Sequence, residues 1–262
     1  MNRIEFIGGS YVGKSTLFNS LQKEGNLGEH IVTEKQILQI QRNQIGKIRF
    51  YFLKLLQVLL RMVGKQFDVY RKNEKLNQLH INFDDYREVI SFVTSEEAIK
   101  QKGDEFSKLS LARLENKVIN LNYYKSFFHS SDKTILIEES IIHWLIVDWE
   151  DRLSKELENT SIFNESIFLN DKSFFPKGII LCYADKEVIK QRIVKRRNEN
   201  KINKGDVNLA EDEILNRTLG FQYNAKLYAE RYESLGGKVL RLNTGDSLKL
   251  NVDKIKLFLN TF

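Results

Sequence analysis

The chain opens on a short run of bulky residues, Arg3–Ile7, that gives way to the glycine-rich turn Gly8–Gly13. Lys14–Gln22 follows with Leu17, Phe18 and Leu21 at helical spacing, which predicts a strand, a turn and a helix, the first half of a βαβ unit. His30–Glu34 (HIVTE) predicts a second, weaker strand. A long stretch of helical pattern then runs over Gln36–Val63, and Asn73–Asn82 is a polar connection. Two further helices are predicted over Asp84–Lys100 and Phe106–Phe128, the second striped by Leu109, Leu111, Leu114, Val118 and Leu121.

The βα rhythm returns after residue 132. Lys133–Ser140 (KTILIEES) is a buried strand that ends in acids, and a helix starts at its last serine. Gly178–Asp185 (GIILCYAD) is another apolar strand, introduced by the only proline, Pro176. Lys186–Arg197 predicts a helix, and Ile202–Leu209 a charged loop. Glu211–Leu235 predicts a long helix with Leu215, Leu219, Tyr223, Leu227 and Tyr228 on its apolar positions. Lys238–Asn243 predicts a last strand and Val252–Leu259 a closing helix. Strands alternating with helices imply an α/β fold whose parallel sheet is covered on both faces. No linker or repeat interrupts the pattern, so one domain over 1–262 is expected, with a helical insertion at about 36–132.

Composition narrows the class. The 262 residues are 42% hydrophobic and 29% charged, which suits a folded globular domain rather than a disordered chain. The single cysteine, Cys182, excludes an internal disulfide; it lies in an apolar strand and is expected in the core of a cytoplasmic protein. The first apolar run leads straight into the glycine turn, so no secretory signal is expected. The most apolar stretch, Arg49–Gly64, is short for a membrane span and is broken by Lys54, Gln57 and Arg61. The net charge of +6 suits an anionic ligand. The aromatic–basic interleaving of single-strand binders is missing, so no nucleic-acid partner is expected.

The glycine turn carries the clearest chemistry. Gly8-Gly9-Ser10-Tyr11-Val12-Gly13-Lys14-Ser15 fits G-x-x-x-x-G-K-[ST] at every fixed position, after a strand and at the start of a helix. Glycines let backbone N–H groups close around phosphate oxygens, and the positive end of the helix dipole points at the same anion. Lys14 is expected to reach the β- and γ-phosphates and Ser15 to ligate Mg²⁺, with Thr16 beside it in the first helical turn.

Three other groups are candidates. Glu138 and Glu139 end the strand ILIEES, and in a parallel sheet the carboxyl ends of strands face the ligand. One of these acids can hold the magnesium shell and the other take a proton from an acceptor hydroxyl; the sequence leaves open which does which. Arg192 and Arg196 are one helical turn apart, ahead of the Gly/Asn-containing loop Asn198–Asn208, and suit charge neutralisation during phosphoryl transfer beneath a closing lid. Glu34, at the end of the second strand, either faces the acceptor or is an ordinary surface acid. His30, His80, His129 and His143 lack metal-ligand spacing.

On Ile4–Leu21, ILIEES, ILCYADKEVIKQRIVKRR and the C-terminal KVLRLNTGDSLKLNVDKIKLFL, the chain resembles P-loop kinases of the nucleoside and nucleotide kinase superfamily. The resemblance implies a P-loop three-layer α/β/α fold, ATP and Mg²⁺ as cofactors, and transfer of the γ-phosphoryl group to a hydroxyl or phosphate of a nucleoside, nucleotide or other small metabolite. It implies adenine stacking or phosphate contact for Arg192, a lid role for Arg196, and a place along the adenine edge for Asn243–Asp246. A homodimer is compatible with it. Deoxynucleoside kinases have Glu-Arg-Ser after the third strand, whereas Glu138-Glu139-Ser140 stands here. Residues 36–132, where acceptor identity would be encoded, resemble no named substrate domain. The alternative is a P-loop NTPase or nucleotide-dependent regulator without a small-molecule acceptor. Against a guanine-specific switch, CYADKE lacks the asparagine of N-K-x-D.

Overall fold

The computed structural model describes residues 2–24, 27, 30–34, 36–37, 39, 51–52, 94–127, 133–139, 141–148 and 176–262. In these residues the elements are β1 (Asn2–Ile7), α1 (Lys14–Glu24), β2 (Ile31–Thr33), α2 (Glu96–Lys102), α3 (Asp104–Phe127), β3 (Thr134–Ile137) and α4 (Ile141–Asp148). They continue as β4 (Gly178–Tyr183), α5 (Lys186–Asn198), a 3-10 turn (Lys204–Asp206), α6 (Glu211–Ser234), β5 (Lys238–Asn243) and α7 (Leu248–Leu259).

The five strands form one sheet in the order β2-β3-β1-β4-β5, and every neighbouring pair is parallel. β1 sits in the centre, with Arg3 opposite Ile135 of β3 and Glu5 opposite Ile179 of β4. Period-two alternation sends the strand residues to two separate apolar layers. Ile4, Phe6, Leu136, Ile180 and Cys182 pack with Leu17 and Leu21 of α1, Ile189 and Ile193 of α5, and Val252 and Ile255 of α7. Ile7, Ile135, Ile137, Ile179 and Leu181 pack on the other face with Leu114 and Val118 of α3, Ile142 and Leu145 of α4, and Tyr228 and Ala229 of α6. The architecture is therefore the expected three-layer α/β/α arrangement around a parallel sheet. Cys182 is fully buried there, and burial pushes its thiol up to about 12, which leaves it inert.

Several elements are longer than their apolar pattern. α7 starts at Leu248 rather than Val252, because Ser247 is its N-cap and its hydroxyl accepts the Leu250 N–H at 3.2 Å. α6, by contrast, starts at the expected Glu211, after Ala210, whose N–H donates to the Glu213 carboxylate at 2.7 Å. The expected helix over Gln36–Val63 and the connection Asn73–Asn82 lie almost wholly outside the described residues. So does most of the expected helix Asp84–Lys100, whose C-terminal part falls in α2. Of the insertion expected at 36–132, α2 and α3 are described, and both are helical. No helix among the described residues is long and apolar enough to cross a membrane.

Candidate active site

The carboxyl ends of the parallel strands and the turn between β1 and α1 bound one pocket. The turn has the backbone its glycines predict. Gly8 adopts φ +141, and a Cβ there would lie 2.3 Å from the carbonyl oxygen of Cys182. Gly13 adopts φ +98, with Arg192 packed against the position a Cβ would take. Both positions require glycine for conformation and for space. Between them Tyr11 is left-handed at φ 61, an uncommon state for an aromatic residue that fits a loop held by its surroundings.

Lys14 opens α1 and is 5% exposed. Its Nζ donates to the carbonyls of Gly8 and Gly9, each at 2.9 Å, so the ammonium lies across the loop. Burial lowers its pKa, while the nearby carboxylates of Glu139 and Glu138 oppose that shift. Gly9, Ser10, Tyr11, Gly13, Lys14, Ser15 and Thr16 line the pocket, and Ser15 and Thr16 are exposed to it. Gly8 and Val12 are buried beneath the loop rather than lining it.

Acids follow two neighbouring strands, and those after β3 act on Lys14. Glu139 lines the pocket, and its backbone carbonyl accepts from Lys117 Nζ of α3 at 2.6 Å. Its carboxylate lies 3.4 Å from Nε2 of His143, one turn into α4. Burial, reinforced by the charges of Lys14 and Lys117, holds His143 well below its ordinary 6.5, so the contact is made by a neutral imidazole and is not an ion pair. Glu138 does not line the pocket, yet its charge acts on both Lys14 and Glu34. Glu34 follows β2 and accepts the Tyr124 hydroxyl of α3 at 3.0 Å. Burial raises its pKa, against the Tyr124 hydrogen bond and the Lys117 charge. Glu34 is therefore no ordinary surface acid: it is tied to α3 and shares a field with Glu138. Ser140 lies outside the described residues.

The arginines take two different places. Arg192 lines the pocket and is half-buried, with its terminal nitrogens committed to backbone. One nitrogen donates to the Val12 carbonyl at 2.8 Å and to the Thr244 hydroxyl at 2.9 Å; the other donates to the Thr244 carbonyl at 2.7 Å. The Thr244 hydroxyl in turn donates to Val12 O, so the phosphate loop and the turn after β5 are pinned to each other through α5. Arg196 is exposed, lines the same pocket and lies over the Tyr11 ring, 5.4 Å from its centroid. Asn243 turns away from the pocket: its side-chain oxygen accepts the Gly245 N–H at 2.9 Å and closes its own turn. Thr244 and Asp246 of the same expected adenine-edge stretch do line it.

The apolar pattern did not reveal Thr244, Lys117, His143 or the loop contacts of Tyr11. Two of them carried a signal: Tyr11, as a bulky residue at a loop position where backbone approaches phosphate, and Thr244, as part of the expected adenine-edge stretch Asn243–Asp246. The others meet through tertiary packing. Among the described residues no group of His, Cys, Asp and Glu could hold a metal ion by itself.

No protein-family model matches the chain, and no curated protein matches it. Among solved structures the chain is similar to deoxyadenosine kinase from M. mycoides with the products dCMP and a flexible dCDP bound, at 14% identity and a TM-score of 0.49. The same enzyme with bound dCTP gives 13% and 0.47, and with bound dATP 13% and 0.48. Each alignment covers 99% of this chain and 100% of that one.

Proposed function

We propose that the chain is a small-molecule kinase that transfers the γ-phosphoryl group of ATP to a hydroxyl or phosphate of a nucleoside, nucleotide or similar metabolite. One observation carries the reading. A full G-x-x-x-x-G-K-S loop shares its pocket with the cationic segment of Lys195, Arg196 and Lys201, while Glu138 and Glu139 act on Lys14 from the end of β3 and Glu34 follows β2 within the field of Glu138. Phosphoryl transfer needs positioning and charge stabilisation more than covalent help, and these are the parts that supply them.

In this reading the loop N–H groups and the α1 dipole hold the β- and γ-phosphates. Lys14 leaves the Gly8 and Gly9 carbonyls for phosphate oxygens when nucleotide enters. Ser15 and Glu138 hold Mg²⁺, which would neutralise charge on the phosphates. Glu34 takes the acceptor proton: its buried carboxyl, raised above the ordinary range, is the better matched base near neutral pH. Glu139, steadied by His143, faces the pocket and orients the water shell of the metal. Arg196 supplies charge from the lid side, and Arg192 keeps the loop in register with the turn after β5.

The test is ATP turnover with Mg²⁺ against a panel of nucleosides, nucleoside monophosphates and sugars, with product mass as the readout. A kinase consumes ATP slowly in water and orders of magnitude faster with one acceptor class, whose mass rises by one phosphoryl group. Fast hydrolysis in water, unchanged by any acceptor, would instead place the chain with the NTPases.

A further inference from the structure

The nucleotide reading uses Tyr11 only for its backbone, yet its side chain makes a polar contact that reaches out of the loop to the segment after α5. The Tyr11 hydroxyl donates to the Asp206 carboxylate at 2.7 Å and accepts the Asn203 N–H at 3.2 Å. Asp206 is itself 6% exposed and collects two more donors, Arg217 of α6 at 3.0 Å and the Asn203 amide at 3.3 Å. Arg196 covers the Tyr11 ring and reaches the Asn203 side-chain oxygen at 3.5 Å. The segment after α5 is thus anchored at one point of the phosphate loop. Within the segment, Asp206 N–H donates to Asn203 O at 2.9 Å and Leu209 N–H to Asp206 O at 3.1 Å. Its other hydrogen bonds run to the flanking helices and not to the loop: Arg217 of α6 to Asp206, Lys201 N–H to Arg196 O of α5 at 2.7 Å, and Arg197 to the Leu209 carbonyl, while Ile202 and Leu209 pack against the core.

We infer that Tyr11 is a positioning residue whose hydroxyl latches the 199–209 segment, through Asp206, to the phosphate loop and so sets how long nucleotide stays in the pocket. Three features support it. The segment places Glu199, Lys201 and Asn203 in the wall of the pocket that Ser10 and Gly13 also line, so its position bears on whether the pocket is closed. The anchor is a charge-assisted hydrogen bond between two buried side chains, the strong and directional kind. Tyr11 also holds a left-handed backbone that an aromatic side chain does not favour, so the loop keeps a bulky residue at a position where glycine would be easier. A hydroxyl at this height above the loop is what the arrangement gains. The inference rests on the nucleotide reading of the pocket, and its partner is the tail of a bound nucleoside di- or triphosphate.

The test compares wild type with Tyr11→Phe, Asp206→Asn and the double variant. Tyr11→Phe keeps the ring, its packing and the Arg196 contact and removes only the hydroxyl. Hydrogen exchange of backbone amides is read first, on protein without nucleotide. Both single variants are expected to speed exchange at Asp206 and Leu209 by about fivefold to tenfold, the change one charge-assisted hydrogen bond supports. The double variant should add little, because both changes open the same latch. Dissociation of a fluorescent ADP analogue is read second, and should quicken by a similar factor in all three while its association rate changes less than twofold. Unchanged exchange at Asp206 and Leu209 would overturn the latch, as would independent, multiplying effects of the two changes. Faster exchange with unaltered ADP release would also overturn it, since the segment would then not control the pocket. A wild-type protein that binds no ADP analogue at all would mark failure of the nucleotide reading, a result separate from each of these.

Discussion

Arg192→Ala separates two roles that the same residue could play. If Arg192 acts as a clamp, its loss is felt before any nucleotide arrives. The side chain makes three hydrogen bonds of 2.9 Å or less, to Val12 O, Thr244 Oγ1 and Thr244 O, and a longer one of 3.5 Å to Tyr11 O. Hydrogen bonds from a charged donor are worth about 1.5–3 kcal/mol each when buried, but this guanidinium is only half-buried and water competes for it, so about 1 kcal/mol each is the better figure. Val12 O keeps the Thr244 hydroxyl as a donor, whereas Thr244 O has no other donor among the described residues. The expected loss is therefore about 2 kcal/mol, which lowers the melting temperature of a domain of this size by roughly 4–8 °C. Turnover should fall further, by about tenfold to a hundredfold, because a phosphate loop displaced by a fraction of an ångström misaligns the reacting groups. Arg192→Lys should recover less than half of the stability, since one ammonium cannot span both Val12 O and Thr244 O as the fork does. The assay is a thermal melt without nucleotide, repeated across an ATP titration. An Arg192→Ala protein that melts like wild type but no longer binds ATP would show the arginine to be a direct ligand contact, and the clamp reasoning would fail.

Lys14→Ala should lower ATP turnover by at least about a hundredfold while circular dichroism stays native, because it removes the one ammonium laid across the loop; near-normal turnover would remove the phosphate-loop assignment. Glu34→Gln should also cost about a hundredfold in turnover, yet raise the melting temperature by about 2 °C at pH 8. The sign follows from burial, which holds the Glu34 carboxyl above its ordinary 4.5, so its contribution to stability is fully present below 4.5 and is lost as pH rises through the elevated value. Glutamine does not ionise, so its advantage should vanish on acidification to pH 4; a gain that persists there would mean that burial of charge is not its cause. Glu138→Gln should lower turnover by about a hundredfold and raise the Mg²⁺ concentration needed for half-maximal rate, whereas Glu139→Gln should have a smaller effect on both. Equal and negligible losses at the two acids would move metal binding elsewhere.

The apolar pattern made the sheet legible because each strand is either a continuous buried run, as in Thr134–Ile137, or is closed by a glycine turn, as in Asn2–Ile7. It found the phosphate loop because that motif is local: backbone, lysine and hydroxyl all come from eight consecutive residues. Helix ends were read less well, since a cap is one polar residue such as Ser247 rather than a period. Contacts that join distant parts of the chain were not readable at all. Nothing in Arg192 itself says that it will grip Thr244, and nothing in Asp206 says that its carboxylate will meet Tyr11, 195 positions earlier. Arg192 and Arg196 share a helical face and were given similar chemistry, yet the turn after β5 claims the first and the Tyr11 ring the second.

The pocket and its surroundings hold charges that suit a ligand better than they suit one another. Lys14 is buried, its proton disfavoured, and its ammonium occupied with two loop carbonyls. The charge of Glu138 makes ionisation of Glu34 harder, and Lys117 is shared between the Glu139 carbonyl and the Glu34 field. A magnesium–nucleotide complex relieves both sides at once, giving phosphate oxygens to Lys14 and positive charge to the acids. The same arithmetic sets an order of events. Nucleotide without metal answers only the lysine, and metal without nucleotide answers only the acids, so stabilisation by the two together should exceed the sum of each alone. A melting-temperature matrix of ATP against Mg²⁺ reads this directly, after allowance for the ATP–Mg²⁺ complex formed in solution and with each ligand's contribution growing as the logarithm of its concentration over its dissociation constant. Additive shifts would mean that the acids do not share the nucleotide's metal, and Glu138 would then lose its assigned role while Lys14 kept its own.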